Sequence, residues 1–391
     1  MNPTERRALA GLASLYVFRM LGLFMVLPVL SLYGADYRGS TPALLGLALG
    51  AYGLSQALLQ IPLGILSDRW GRKPVIFLGL AVFAAGSLVA ALTDSVYGLI
   101  FGRILQGGGA IAAATMALAA DLTRDENRGK AMAVIGASIG VAFVLAVVLG
   151  PLLAGFGGLS AIFWLTAILA VLGMLLVWRL VPNPPVNAAP RGPRQGDFAR
   201  LLGQVEIWRL VCGVFFLHLL LTMMFVPLPL LLVDKLGIAS EQHWKLYAPL
   251  LVGAFVLMVP LMRMAEKRQQ VPAAMRLALL GLVFGGVALM SRVPGYWIVV
   301  CLGVFFLAFN LLEALLPAQL TRVAPAECRG AATGLYATLQ FLGAFAGGSL
   351  GGVIYGWGGA PAVATFALGT LVLWSLAWWQ MRGTRAGLAS S

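Results

Sequence analysis

Four ionisable side chains interrupt stretches that are otherwise apolar for about twenty residues: Arg19, Arg103, His218 and Glu313. A carboxyl or an imidazole in such a place can take up and release a proton, and a guanidinium can hold an anion. Charge inside a bilayer is costly enough that such groups are functional by default. Glu313 is the only acid of the fourteen in the chain that falls within an apolar stretch. Asn310 stands one turn before Glu313 and Gln106 one turn after Arg103, so each shares a helix face with the charge. Counting ~1.5 Å per residue from the ends of the stretches, Glu313 and Arg19 lie at about the same depth. Two readings are open. Glu313 can be a proton site whose affinity changes with water access, or it can form a static ion pair with Arg19 that braces the bundle.

Other chemistries are absent from the residues. A phosphate loop would need glycine where Arg124 stands, and Ser or Thr where Ala131 follows Gly129-Lys130. The only histidines are His218 and His243, with no Cys, His or carboxylate cluster at metal-ligand spacing and no Ser/His/Asp set. Cys212, Cys301 and Cys328 read as packing residues. No enzyme activity, cofactor or metal is expected.

The elements that position these groups follow from composition. Of 391 residues, 60% are hydrophobic and 10% charged, which excludes a soluble enzyme. At ~20 residues per helix plus short loops, the chain accommodates about twelve spans. They read as 12–33, 42–66, 74–92, 97–119, 131–151, 161–181, 207–232, 245–264, 273–291, 296–318, 329–353 and 360–381. The net charge of +13 would suit nucleic acid, but its placement argues against that partner. Of 27 Lys and Arg, 21 fall on the alternate connections that begin with the N-terminus. Only Arg38, Lys235, Lys245 and Arg292 fall on the opposite ones, and Arg19 and Arg103 lie in spans. The positive-inside rule then puts both termini in the cytoplasm. The first span, with Arg6 and Arg7 ahead of it and no small-residue cleavage site, serves as both signal and anchor.

The chain also repeats itself. Ile61-Pro62-Leu63 matches Val259-Pro260-Leu261, Asp68-Arg69 matches Glu266-Lys267, and Leu122-Thr123-Arg124 matches Leu320-Thr321-Arg322, all at one offset. Three residues are then added, and Arg128-Gly129 matches Arg329-Gly330 and Gly150 matches Gly351. The division expected is a six-helix half at 1–181, a Pro- and Arg-rich cytoplasmic linker at 182–206, and a second six-helix half at 207–391. Repeated halves with a site between them are a recurring transporter architecture.

One segment is far more specific than its basic charge requires: Gly64-Ile65-Leu66-Ser67-Asp68-Arg69-Trp70-Gly71-Arg72-Lys73. It resembles the G-x-x-x-D-R-x-G-R-K signature of the major facilitator superfamily at every defined position. Arg103-Ile104-Leu105-Gln106-Gly107 resembles that superfamily's R-x-x-Q-G element. Gly150-Pro151 resembles the hinge and packing pair of the proton-coupled antiporter motif, although Ala137, Ala146 and Ala154 replace three of its glycines. The segments Arg19–Pro28 and Asn310–Pro317 look closest to YajR-type drug transporters of bacterial inner membranes. The resemblance implies an all-α fold of twelve membrane helices in two pseudo-symmetric halves. It further implies a multi-pass protein of the bacterial inner membrane, embedded in lipid and monomeric. Those relatives carry a small soluble domain after their last helix; this chain, stopping at Ser391, is expected to lack it, as a shorter or a truncated relative.

By the same resemblance, Gly64, Asp68, Arg69, Gly71, Arg72 and Lys73 form a conformational latch with Asp121, the acid that Arg72 pairs with. Asp68 faces the start of the eleventh span, and Gly46, Gly50 and Gly53 on the second span with Gly343, Gly347 and Gly351 on the eleventh continue that interface. Arg19, Arg103, Gln106, His218, Asn310 and Glu313 line the substrate cavity. The reading favoured is proton-coupled efflux of an amphipathic or lipophilic small molecule by alternating access. A carrier of a polar metabolite or organic anion with the same fold is the alternative, and a non-transporting membrane sensor a third. Met20, Phe24, Met223, Met224, Phe225, Phe305, Phe306 and Phe309 flank the charges and favour a greasy ligand.

Overall fold

The computed structural model describes the chain except residues 184–200, 202, 288–293, 326–327 and 389–391, and the side chains of 125 and 379–388. Most of the linker expected at 182–206 lies outside the described residues, as does the end of the ninth span. The described chain is almost wholly helical. In order, the helices are α1 (Pro3–Phe24), α2 (Leu30–Tyr33), α3 (Pro42–Trp70), α4 (Arg72–Leu92), α5 (Val96–Gly108), α6 (Ala112–Asp121) and α7 (Arg128–Leu180). They continue as α8 (Val205–Met224), α9 (Leu228–Leu236), α10 (Trp244–Lys267), α11 (Val271–Gly286), α12 (Gly295–Val323) and α13 (Arg329–Leu388).

Helix starts are written locally. Asn2 accepts from the Glu5 backbone N–H while the Glu5 side chain accepts from that of Asn2, a capping box with Pro3 in the first turn. Thr41 accepts from the Leu44 N–H ahead of α3, with Pro42 at its first position.

Nine described helical stretches are long and apolar enough to cross a bilayer, and the shorter α11 adds a tenth. Two of the nine are double. At 53 residues α7 would be roughly 80 Å long, far beyond the ~30 Å of hydrocarbon. It breaks at Gly157 (φ −156°, ψ 29°) and Gly158 (φ 63°, ψ −159°), and α13 breaks at Gly358 (φ −145°, ψ 17°) and Gly359 (φ 63°, ψ −158°). Only glycine adopts the second conformation without strain. The two corners therefore repeat nearly angle for angle, at the offset that relates Gly150 to Gly351. Counting each as two spans gives the twelve-helix fold. Phe156 and Trp357, just before the corners, are 90% and 86% exposed, as aromatic side chains at a membrane interface are.

Three expected spans are interrupted. The first ends at Phe24 and resumes only at Leu30, around Pro28; the seventh ends at Met224 and resumes at Leu228, after Pro227. Proline removes a helix donor and disfavours helical backbone in its predecessor. The fourth is split at Gly109 between α5 and α6, where Gly107–Gly109 lets backbones touch. A Cβ on Gly107 would stand 2.2 Å from the Tyr52 carbonyl oxygen, and one on Gly109 2.3 Å from that of Gly79.

By its contacts the chain forms two compact units, one of Met1–Gly192 with Ser240–Trp244 and the other of Pro193–Ala239 with Lys245–Ser391. The core of the first packs Leu12 and Leu15 of α1 against Ile76 and Leu80 of α4, Leu118 of α6, and Ile135 and Val177 of α7. In the second, α13 lies on α8. A Cβ on Gly343 or Gly347 would stand 2.1 Å from the carbonyl oxygen of Phe215 or Leu219, and one on Gly351 3.2 Å from the Met223 Cα. These residues are small because α8 presses its backbone on them from within the same unit.

Candidate functional site

The signature segment makes the turn between α3 and α4. Gly71 there has φ +95°, which favours glycine, and so reverses the chain in one residue. The reversal brings Arg72 back over the end of α3. Its Nη1 donates to Ser67 Oγ (2.7 Å) and lies 2.5 Å from Asp68 Oδ1, while Nε donates to Asp121 Oδ2 at the end of α6 (3.2 Å). Side-chain exposures of 10%, 15% and 4% for Arg72, Asp68 and Asp121 make this a largely desolvated cluster of one cation and two anions. Lys73 donates to the carbonyl of Val181, where α7 ends, and places a cation at a helix C-terminus. Gly64 lets α3 approach α6, since a Cβ there would meet Ala113 at 3.2 Å. Arg69 is exposed.

A second cluster at this end was not foreseen. Glu5, 3% exposed, accepts from the Arg124 backbone N–H (3.0 Å) and Nε (3.2 Å) through Oε1, and from Asn127 Nδ2 (3.3 Å) through Oε2. The pairing raises the proton affinity of the already cationic Arg124. Asn2-Pro3-Thr4-Glu5 carried the signal, as a capping box, but the partner more than a hundred residues away did not show.

Arg103 and Gln106, expected in the cavity, are 1% and 0% exposed within the first unit. Arg103 donates to the Ala48 carbonyl (3.3 Å) and to Gln106 Oε1 (2.9 Å), with Tyr52 beneath its guanidinium at 5.1 Å. Gln106 Nε2 donates to Ser87 Oγ (2.8 Å), which donates to the Phe83 carbonyl. These bonds tie α3, α4 and α5 together. Gly150 and Pro151 lie within α7, and a Cβ on Gly150 would stand 2.4 Å from the Met25 carbonyl oxygen where α1 breaks.

Arg19 and Glu313 each have partners in their own unit. Arg19, 2% exposed, donates through Nη2 to Gln56 Oε1. Glu313 on α12 accepts through Oε1 from Gln340 Nε2 of α13 (3.1 Å), and the same Gln340 nitrogen lies 2.9 Å from His218 Nε2 on α8. His218 Nδ1 lies 3.2 Å from the Val214 carbonyl, which requires the hydrogen to be on Nδ1, so Nε2 of the neutral ring accepts. The two hydrogens of one amide thus serve the imidazole and the carboxylate. The direct distance from His218 Nε2 to Glu313 Oε2 is 3.8 Å, and Oε2 is buried with no hydrogen bond. Phe309 packs edge-on to the imidazole at 5.7 Å. Asn310 is half-buried on the same helix. Gln340 was missed because an uncharged amide in a Gly- and Ala-rich helix carries no ionisable signal.

Against known proteins, residues 12–348 match the family model described as Major Facilitator Superfamily. The inner membrane transport protein YajR of Escherichia coli is 48% identical over 359 residues, covering 91% of this chain and 79% of that protein. The multidrug resistance protein MdtH of Yersinia enterocolitica is 26% identical over 376 residues, covering 94% and 92%. Among solved structures, a bacterial homologue of the human lysosomal transporter Spinster, in its inward-facing unoccupied conformation, aligns at TM-score 0.76 and 15% identity, covering 97% of this chain and 96% of that one. The human organic anion transporter MFSD10 (TETRAN) aligns at 0.68 and 22%, covering 97% and 100%. Likenesses at these identities bear on the fold. With the family match over most of its length, the twelve-helix chain belongs to the major facilitator superfamily of multi-pass membrane transporters, which are not enzymes.

Proposed function

We propose that this protein is a proton-coupled exporter of amphipathic small molecules in the bacterial inner membrane, working by alternating access with both termini in the cytoplasm. The observation that carries the coupling is the Glu313–Gln340–His218 arrangement. While His218 is neutral, Gln340 bridges it to Glu313. A proton on Nε2 turns that atom from acceptor to donor, so it can no longer accept from Gln340 and must turn toward an anion. Glu313 Oε2, with no donor of its own and 3.8 Å away, is the acceptor at hand. Protonation therefore exchanges an amide bridge for a direct ion pair and changes how α8, α12 and α13 are tied. In this reading the Asp68–Arg72–Asp121 cluster is the cytoplasmic latch, and the relatives named for multidrug resistance favour a drug-like cargo.

The reading is tested with everted membrane vesicles energised to an interior-acid gradient and offered a panel of amphiphilic dyes and drugs. At least one compound should discharge the gradient in vesicles carrying this protein, and Glu313→Gln should abolish the discharge. Transport of a compound at the same rate with and without the gradient would contradict it.

A further inference from the structure

The Arg19 guanidinium is taken out of water without being given a counterion. Its Nη2 donates to Gln56, but Nε and Nη1 are buried with no hydrogen-bond partner, and no carboxylate among the described residues pairs with it. The Phe83 ring lies 6.0 Å from its Cζ. Arg72 and Arg124, by contrast, each hold carboxylates in the same unit.

The neighbouring amides are locked in one direction. Arginine can only donate, so Gln56 must turn Oε1 to it and present Nε2 on its other side. Gln56 Nε2 donates to Gln60 Oε1 one turn along α3 (3.1 Å). Gln60 must in turn present its own Nε2, which has no partner among the described residues. The Arg19–Gln56–Gln60 chain therefore ends in donors at both ends, and Gln56 and Gln60 are 0% and 4% exposed. A site made only of donors around a positive charge matches a group made only of acceptors. Carboxylate and sulfonate fit that description; ammonium and neutral hydroxyl groups do not.

From this we propose that Arg19, with Gln56 and Gln60, is the subsite for an anionic headgroup, and that the transported compounds are organic anions. The proposal deepens the transport reading, since it names the substrate class, but it requires no proton coupling. It also predicts that the ligand-free protein gains nothing from the charge itself, because a desolvated and uncompensated cation is unfavourable.

The test is thermal unfolding of the purified full chain in nonionic detergent with octanoate, octanesulfonate, 1-octanol or octyltrimethylammonium. The two anions should raise Tm in a saturable way, and the alcohol and the cation should not. Arg19→Met should leave the ligand-free Tm unchanged or higher and cut apparent anion affinity by at least tenfold. Gln56→Glu supplies an internal counterion and should raise the ligand-free Tm while displacing the added anions. Equal responses to all four probes would overturn the proposal, as would anion stabilisation that survives Arg19→Met, or a ligand-free protein that unfolds without Arg19. Anion binding without any proton movement in vesicles would contradict the coupling and leave this subsite standing; proton-driven transport confined to cations would do the reverse.

Discussion

In the first unit, Arg72 is held by two carboxylates and a hydroxyl, and Arg103 by a carbonyl, an amide and an aromatic face. In the second, Glu313 and His218 draw on the hydrogens of one amide, and a buried carboxylate oxygen is left with none. The halves share their corner dihedrals and their small-residue contacts, so this difference is not a difference of scaffold. Arg103 keeps one buried nitrogen, Nη2, without a partner, but that atom is a donor on a permanently charged group; the unfilled Oε2 of Glu313 is an acceptor that a proton can occupy. The comparison assigns bracing to the first unit's Arg103 and proton response to the second unit's Glu313.

The largest effect should come from breaking the braced side. Gln106→Leu removes an acceptor from the buried Arg103 and a donor to Ser87, and should destabilise the protein by about 2–4 kcal/mol, since a charge-assisted hydrogen bond and a second buried one are lost together. Reversible unfolding in denaturing detergent would measure it. Gln340→Leu in the other unit leaves two partly exposed groups that can reach each other directly. It should cost only about 1–3 kcal/mol, the penalty for one unsatisfied buried group, while shifting the pH profile of transport. Equal losses of stability would erase the distinction.

How much of this could be read from residues alone depends on how local the information was. The turn at Gly71 and the reach of Arg72 to Asp68 lie within a few residues of each other, inside the signature segment that the sequence singled out. The Arg72–Asp121 pair crosses 49 residues and came only by resemblance. That Arg19 holds Gln56 and Glu313 holds Gln340 was not legible, because depth along a helix says nothing of azimuth. Neither amide is ionisable, so a search for charge in apolar segments passed over both. The glycines of α13 were legible as sites of close packing, but small size does not say which helix approaches.

The next effect sharpens the comparison at the packing level. Gly347→Ala puts a methyl 2.1 Å from the Leu219 carbonyl oxygen and should cost about 1–3 kcal/mol through overpacking. Gly334→Ala, on the same helix with nothing within 4 Å of its added Cβ, should gain about 0.5–1 kcal/mol from helix propensity. The same unfolding assay reports both.

The smallest effect belongs to the exposed Arg38–Asp94 pair outside the spans. The Arg38 guanidinium holds the Asp94 carboxyl below its ordinary pKa. A depressed carboxylate contributes above its unfolded value, ~3.9, and its contribution fades as pH falls through the lowered one. Asp94→Asn should therefore lower Tm slightly at pH 7, and the difference from the parent should vanish in acid. A difference that persisted in acid would locate the stabilisation elsewhere.

The central claim is that Glu313 exchanges a proton as the protein works, and its most direct test is pH-difference infrared spectroscopy of the reconstituted protein. The account predicts a carboxylic-acid band that appears on acidification in the parent, is missing from Glu313→Gln, and titrates at a different pH in Gln340→Leu. A titration curve unchanged by Glu313→Gln would mean that this carboxyl does not exchange protons, and would contradict the account.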